Sequence, residues 1–158
     1  MKKKSQRRFA REKVLQVLYA YQINGEGLSK HTDAILSDIS SENDRAFGRK
    51  LINYVVANSD ELNKRIEDKV ANWEIERIAV IDKLLLKMGI AEIMYFEDIP
   101  PKVSINEVID ISKEYSSLNS GKFINGVLDA ILSDLKTEGK LKKIGRGLLD
   151  NNISKSEE

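Results

Sequence analysis

The spacing of hydrophobic residues predicts an all-α protein. Apolar side chains recur at steps of three and four along most of the chain, and the alternation typical of β-strands is scarce. The first such segment covers about residues 6–23, where Val14, Leu18 and Tyr21 share one stripe, and the glycine-rich residues 24–27 end it. Six further helices are predicted at about residues 29–38, 42–57, 60–70, 75–96, 104–115 and 121–135.

The segment 75–96 is predicted to be the buried centre of the fold, because it is hydrophobic nearly all round. Gly89 in its middle costs on the order of 1 kcal/mol relative to alanine. This cost predicts that another helix approaches Gly89 closely. Trp73 precedes the segment in a short turn and is predicted to fill space between helices. Pro100 and Pro101 follow its end, because proline cannot continue a helix.

Polar residues and glycine in the last two helices give more local predictions. Ser104 has the spacing of a capping box, and Ser120 is placed to cap the last helix. Asn106 and Asn125 each lie among apolar residues, which favours buried amides that bond neighbouring helix ends. Gly126 is interpreted as a close contact between helices.

Composition and length predict one domain over residues 1–135, followed by a charged, flexible tail over 136–158. No apolar run reaches the roughly 18 residues of a membrane span. No signal peptide is recognised at the N-terminus, so a cytoplasmic location is predicted. The chain has no cysteine and a single histidine, His31, which excludes disulfides and thiolate or multi-histidine metal sites.

Basic charge is concentrated at the N-terminus although the net charge is only +1. Seven of the first thirteen residues are lysine or arginine, against one acidic residue. Arg7, Arg8 and Arg11 follow one edge of the first helix, and guanidinium groups offer paired donors that suit phosphate oxygens. This edge predicts an anionic partner such as a nucleic acid, with a merely solvated helix face as the alternative.

No catalytic motif is present. The chain lacks a phosphate-binding glycine loop, and its serines have no histidine partner at a recognisable spacing. We therefore predict that the protein is not an enzyme and needs no cofactor. Phe123 beside Lys122 is either a stacking platform for a base or an apolar contact under the preceding loop.

Four stretches together resemble the NusB family of bacterial transcription antitermination factors. They are residues 7–12 with Leu18 and Tyr19, residues 81–92, residues 99–107, and residues 122–128. The resemblance implies two small helical bundles packed across each other. It also implies that the protein pairs with the ribosomal protein NusE, binds boxA sequences of single-stranded nascent RNA, and supports transcription of ribosomal RNA within the antitermination complex of RNA polymerase.

The resemblance also implies positions for both partners. The RNA surface it implies is Arg7, Arg8, Arg11, Lys87, Tyr115, Asn119, Lys122 and Phe123. The NusE surface it implies includes Tyr19, Glu76 and Asp82. Two positions depart from the usual pattern of the family, in which Asn119 is often acidic and Lys87 is often arginine. The basic edge of the first helix would then be half of a composite RNA site.

Two alternatives stay open at this point. The same fold serves as the RNA-docking domain of ribosomal RNA cytosine methyltransferases, although no methyl-donor domain is recognised after it here. The second alternative is a homodimer whose interface covers the basic helix.

Overall fold

The computed structural model describes residues 5–71 and 76–149. Those residues form seven α-helices and one short 3₁₀ helix and contain no β-strand, which confirms the all-α prediction. Trp73 and the predicted helix start at Ile75 lie outside the described residues. The helices are α1 (Gln6–Asn24), α2 (Leu28–Leu36), α3 (Glu42–Ala57), α4 (Ser59–Lys69), α5 (Val80–Tyr95), α6 (Pro101–Tyr115) and α7 (Leu118–Thr137), followed by the 3₁₀ helix Gly145–Leu148.

The chain divides into two compact units, and the first ends at Asn58. In this unit α1 packs against α2 and α3. The side chain of Ser5 caps α1 by accepting from the backbone N–H of Arg8 at 3.0 Å, and Gly25 ends the helix in the left-handed conformation at φ 75°. Val14 and Leu18 are buried as the apolar stripe predicts, whereas Tyr21 is only half-buried.

The second unit begins at Ser59 and is built around α5. Eleven of the sixteen residues of α5 are buried, and α4, α6 and α7 all pack against it. A Cβ atom at Gly89 would lie 2.9 Å from Cδ1 of Leu128 on α7. The predicted close approach at Gly89 is therefore confirmed, and a side chain there would disturb the packing of α5 against α7.

Three helix starts differ from the predictions. Residues 76–79 form a turn, and α5 begins at Val80 after the extended residue Ala79. The second difference is that α6 begins at Pro101, whose fixed φ suits the first helical position and whose missing N–H is not needed there. Ser104 is therefore inside the helix and is not its cap. The third is that α7 begins at Leu118, with Ser117 as its cap in place of Ser120.

The predictions of buried amides at Asn106 and Asn125 and of a close helix contact at Gly126 were also wrong. Asn106 and Asn125 are exposed, and a Cβ atom at Gly126 would meet nothing within 4 Å. Each asparagine directly follows a buried isoleucine, Ile105 or Ile124. Successive helical residues are turned by about 100° from each other, so the position beside a buried residue can face solvent.

Lys143 and Ile144, in the segment predicted to be a flexible tail, contact the C-terminal end of α5 and the residues that follow it. Nζ of Lys143 donates to the backbone oxygens of Phe96 at 2.7 Å and Glu92 at 3.3 Å. The N–H of Ile144 donates to the oxygen of Glu97 at 3.0 Å. The oxygens of Glu92 and Phe96 also accept from the backbone N–H groups of Phe96 and Ile99, so Lys143 adds a second donor to each. Residues 150–158 lie outside the described part of the chain.

Alanine at Gly126 and alanine at Gly89 should have opposite effects on stability. Gly126→Ala is expected to raise the free energy of unfolding by about 0.5–1 kcal/mol, because alanine is favoured in an exposed helix. Gly89→Ala is expected to lower it by about 1 kcal/mol, because overpacking exceeds the gain in helix propensity. Leu128 is itself fully buried, so it has little room to move. Denaturant unfolding measures both values, and equal gains would contradict the close approach.

The contacts of Lys143 should make stability depend on pH. Burial lowers the pKa of Lys143 to about 8, although the carboxylates of Glu92, Asp98 and Glu97 oppose the shift. The unfolded chain, in which the pKa keeps its ordinary value of 10.5, binds more protons between these two pH values. The contribution of Lys143 to the free energy of unfolding therefore rises with pH across that window. Unfolding of the wild type and of Lys143→Met at several pH values tests this, and parallel curves would contradict it.

Candidate nucleic-acid interface

The three arginines of α1 have different surroundings in the first unit. Nε of Arg7 donates to Oδ1 of Asp44 at 2.9 Å, and its guanidinium carbon lies 4.2 Å from the centre of the Phe47 ring. Arg11 lies over the same ring at 5.1 Å and is only 2% exposed. Arg8 is half-buried. Arg7 and Arg8 therefore reach solvent, whereas Arg11 is placed to hold α1 against α3.

A second group of predicted residues surrounds the start of α7 in the second unit. Tyr115 at the end of α6 is 38% exposed. Asn119 and Lys122 are exposed on the first turns of α7, and Phe123 is half-buried beside them. Two aromatic rings, an amide and an ammonium group thus lie on neighbouring turns. This combination can stack on unpaired bases, bond a base edge and neutralise a phosphate.

A cavity of about 490 Å³ opens in this part of the second unit. Its walls include Arg77 from the turn before α5, Asp82 from the first turn of α5, and Asn119 and Phe123 from α7. Hydroxyl-bearing residues of the α6–α7 corner complete the lining. The volume lies in the range typical of small-molecule sites, so it can accept a side chain or a base.

A hydroxyl network forms one wall of this cavity. Oγ of Ser120 donates to Oδ2 of Asp82 at 2.7 Å. The hydroxyl oxygens of Ser116 and Ser117 lie 3.0 and 3.1 Å from that of Ser120. The other oxygen of Asp82, Oδ1, is buried and has no hydrogen-bond partner among residues 5–71 and 76–149. The acidic group is therefore held in place from one side only.

Lys87 lies deeper than the other predicted RNA contacts. It is 8% exposed, and its Nζ donates to Oγ of Ser59, the first residue of α4, at 3.3 Å. Burial lowers the pKa of Lys87, and the neighbouring charge of Lys83 lowers it further. The position of Lys87 favours a role in joining α4 to α5.

The three residues predicted to face a protein partner are not equivalent. Tyr19 is 43% exposed on α1 in the first unit. Glu76 is exposed in the turn before α5. Asp82 is only 8% exposed and lines the cavity, so a partner would have to reach it there.

Sequence reasoning missed Arg77 and the roles of Ser116 and Ser117. The serine-rich run 116–120 was a usable signal, since clustered hydroxyls around a helix start often bond one another. The sequence did not mark Arg77 as a site residue, because its place in the cavity depends on the turn that ends at Ala79. Among the described residues no group of acidic or histidine side chains could hold a metal ion. Nor does any helix of residues 5–71 and 76–149 have the length and apolar character needed to cross a membrane.

Comparisons with known proteins agree on one family. The model of the NusB family matches residues 8–133. The transcription antitermination protein NusB of Chloroherpeton thalassium is 44% identical over 146 residues, which are 91% of this chain and 69% of that protein.

Solved structures agree with the sequence match. T. maritima NusB superposes with a TM-score of 0.76 at 30% identity and covers 84% of this chain and 94% of its own. A crystal structure of the antitermination factors NusB and NusE in complex with dsRNA gives a TM-score of 0.74 at 26% identity, over 82% and 97% of the two chains. The family match, the sequence identity and the shared fold show that this chain belongs to the NusB family.

Proposed function

We propose that this chain is a transcription antitermination factor that binds boxA-type nascent RNA together with NusE. The observation that carries the proposal is the group of stacking, amide and cationic side chains around the cavity at the start of α7, in a chain of the NusB family. A relative with this fold is known in complex with NusE and dsRNA.

The start of α7 supplies the contacts to bases. The rings of Tyr115 and Phe123 stack on or pack against unpaired bases, and the amide of Asn119 bonds a base edge. Lys122 neutralises a phosphate, which makes binding depend on salt. The family often has an acidic residue where Asn119 stands, and an amide can both donate and accept. This chain would therefore read that base with a different pattern of hydrogen bonds.

The exposed arginines of α1 supply phosphate contacts in the first unit. Arg7 and Arg8 reach solvent and bind phosphate oxygens, and the ion pair of Arg7 with Asp44 orients its guanidinium group. Arg11 contributes indirectly, because it fixes α1 over Phe47. Lys87 likewise supports the fold of the RNA-binding part through its bond to Ser59.

NusE contacts Tyr19 in the first unit, and Glu76 and Asp82 in the second unit. The two carboxylates suit the basic side chains of a ribosomal protein, and Tyr19 offers an exposed ring with a polar end, a type enriched in interfaces. The protein acts by binding alone and performs no chemistry. It works in the cytoplasm, where the complex of nascent RNA, NusE and RNA polymerase forms. The homodimer and the methyltransferase-type docking role stay predictions, which the solution mass and a screen of RNA partners address.

Removal of the Phe123 ring should weaken RNA binding without affecting the binding of NusE alone. Each stacked base contributes about 1–3 kcal/mol, so Phe123→Ala is expected to raise the Kd for a boxA oligonucleotide about 5- to 150-fold. Phe123→Tyr keeps the ring and serves as the matched control. Fluorescence anisotropy with NusE present measures both, for single-stranded and duplex RNA. Unchanged affinity of a folded Phe123→Ala variant would refute base stacking at α7.

The arginines of α1 should differ in their effect on the salt dependence of RNA binding. Arg8→Gln is expected to reduce the slope of log Kd against log salt concentration by about 0.7, the value for one lost phosphate contact on a single strand. Arg11→Gln should leave the slope unchanged and lower the melting temperature, because Arg11 is buried over Phe47. Titrations at several salt concentrations measure the slopes. The opposite pattern would show that Arg11 is the phosphate contact.

A further inference from the structure

Ser120 joins three segments of the second unit. It is buried on the first turn of α7, and its hydroxyl donates to Oδ2 of Asp82 on α5 at 2.7 Å. The hydroxyl oxygens of Ser116, after α6, and Ser117, the cap of α7, lie within 3.1 Å of its own. The backbone N–H of Ser120 also donates to Oγ of Ser117 at 3.3 Å.

The proton positions in this network follow from its chemistry. A hydroxyl has one hydrogen to donate and two lone pairs to accept with. The hydrogen of Ser120 goes to Asp82, because an ionised carboxylate can only accept. Ser116 and Ser117 therefore both donate to Ser120. The direction of the whole network is set by the Asp82 carboxylate.

The network separates two groups of residues with different proposed partners. Asp82 belongs to the surface proposed for NusE, whereas Asn119 and Phe123 belong to the surface proposed for RNA. All three line the same cavity. Ser120 is the residue after Asn119 and is bonded to Asp82, so it lies directly between the two groups.

A cationic group that approaches Asp82 can donate to Oδ1, the oxygen that has no partner among the described residues, while Ser120 keeps its bond to Oδ2. The carboxylate is then held from both sides, and the hydroxyl of Ser120 is fixed with it. Because Ser116 and Ser117 donate to Ser120, the cap of α7 that positions Asn119 and Phe123 is fixed as well. Contact with the protein partner would in this way change the RNA surface.

We propose that Ser120 is a positioning residue that couples the binding of NusE at Asp82 to the binding of RNA at the start of α7. The proposal rests on the function proposed above. The coupling is measured as the ratio of RNA Kd values without and with NusE, and by linkage the same ratio holds for NusE binding without and with RNA. Typical couplings between two sites are about 5- to 150-fold.

Two substitutions separate the charge of Asp82 from its hydrogen bond. Ser120→Ala keeps the charge and removes the bond, so affinity for NusE alone should stay close to that of the wild type while the coupling ratio falls toward 1. Asp82→Asn keeps an acceptor oxygen and removes the charge. This variant should bind NusE more weakly, and it should retain a coupling ratio above that of Ser120→Ala. Ser120→Thr keeps the hydroxyl and should retain the coupling.

A matched control lies at the C-terminal end of α5, the helix that carries Asp82 near its N-terminal end. Ser104 is also buried, and its hydroxyl donates to Oε1 of a second buried carboxylate on α5, Glu92, at 3.0 Å. Ser104→Ala removes the same kind of bond away from the cavity. It should lower the melting temperature by an amount similar to that of Ser120→Ala and leave the coupling ratio unchanged.

The experiment is a set of anisotropy titrations with a boxA oligonucleotide and purified NusE on the full chain. We expect the coupling ratio to fall in Ser120→Ala but not in Ser104→Ala or Ser120→Thr. Three results would overturn the coupling proposal without affecting the proposed binding of RNA and NusE. They are an unchanged ratio in Ser120→Ala, an equal loss in Ser104→Ala, and a wild-type ratio of 1. A wild type that binds neither RNA nor NusE overturns the proposed function itself.

Discussion

Burial of α5 is the constraint on which the second unit depends. The helix is apolar nearly all round, yet it carries polar side chains that are largely buried. Each needs a partner from a neighbouring segment, because an unpaired buried polar group costs about 1–3 kcal/mol. Ser104 provides a donor for Glu92, Ser59 accepts from Lys87, and Ser120 donates to Asp82. The helices around α5 are thus placed by hydrogen bonds as well as by apolar packing.

The two ends of α5 meet this constraint in different ways. At the C-terminal end, Lys143 and Ile144 donate to backbone carbonyls of α5 and of the residues after it. At the N-terminal end one oxygen of Asp82 has no partner among the described residues, and Asp82 lines the cavity. The contacts at the C-terminal end stabilise the fold, whereas the N-terminal end leaves an acceptor oxygen open to a donor.

The hydrophobic pattern predicted what depends on local spacing. The helices of the described residues, the buried centre and the close approach at Gly89 all follow from residues near one another in the sequence. The helix faces of Asn106 and Asn125 could not be predicted in this way, because residues that are adjacent in the sequence do not share a helix face. The cavity could not be predicted either, because its walls come from segments about 40 residues apart in the sequence.

The arginines of α1 show why a count of charges does not define a binding surface. Arg7, Arg8 and Arg11 have the same charge and lie within two turns, so the sequence gives them one role. Arg7 and Arg11 both lie over the ring of Phe47 on α3, but Arg7 reaches solvent whereas Arg11 is buried. The buried Arg11 is therefore placed to stabilise the packing of α1 on α3. Residues of one basic edge can therefore differ in their access to solvent, and only the contacts across the helix pair show which of them reach it.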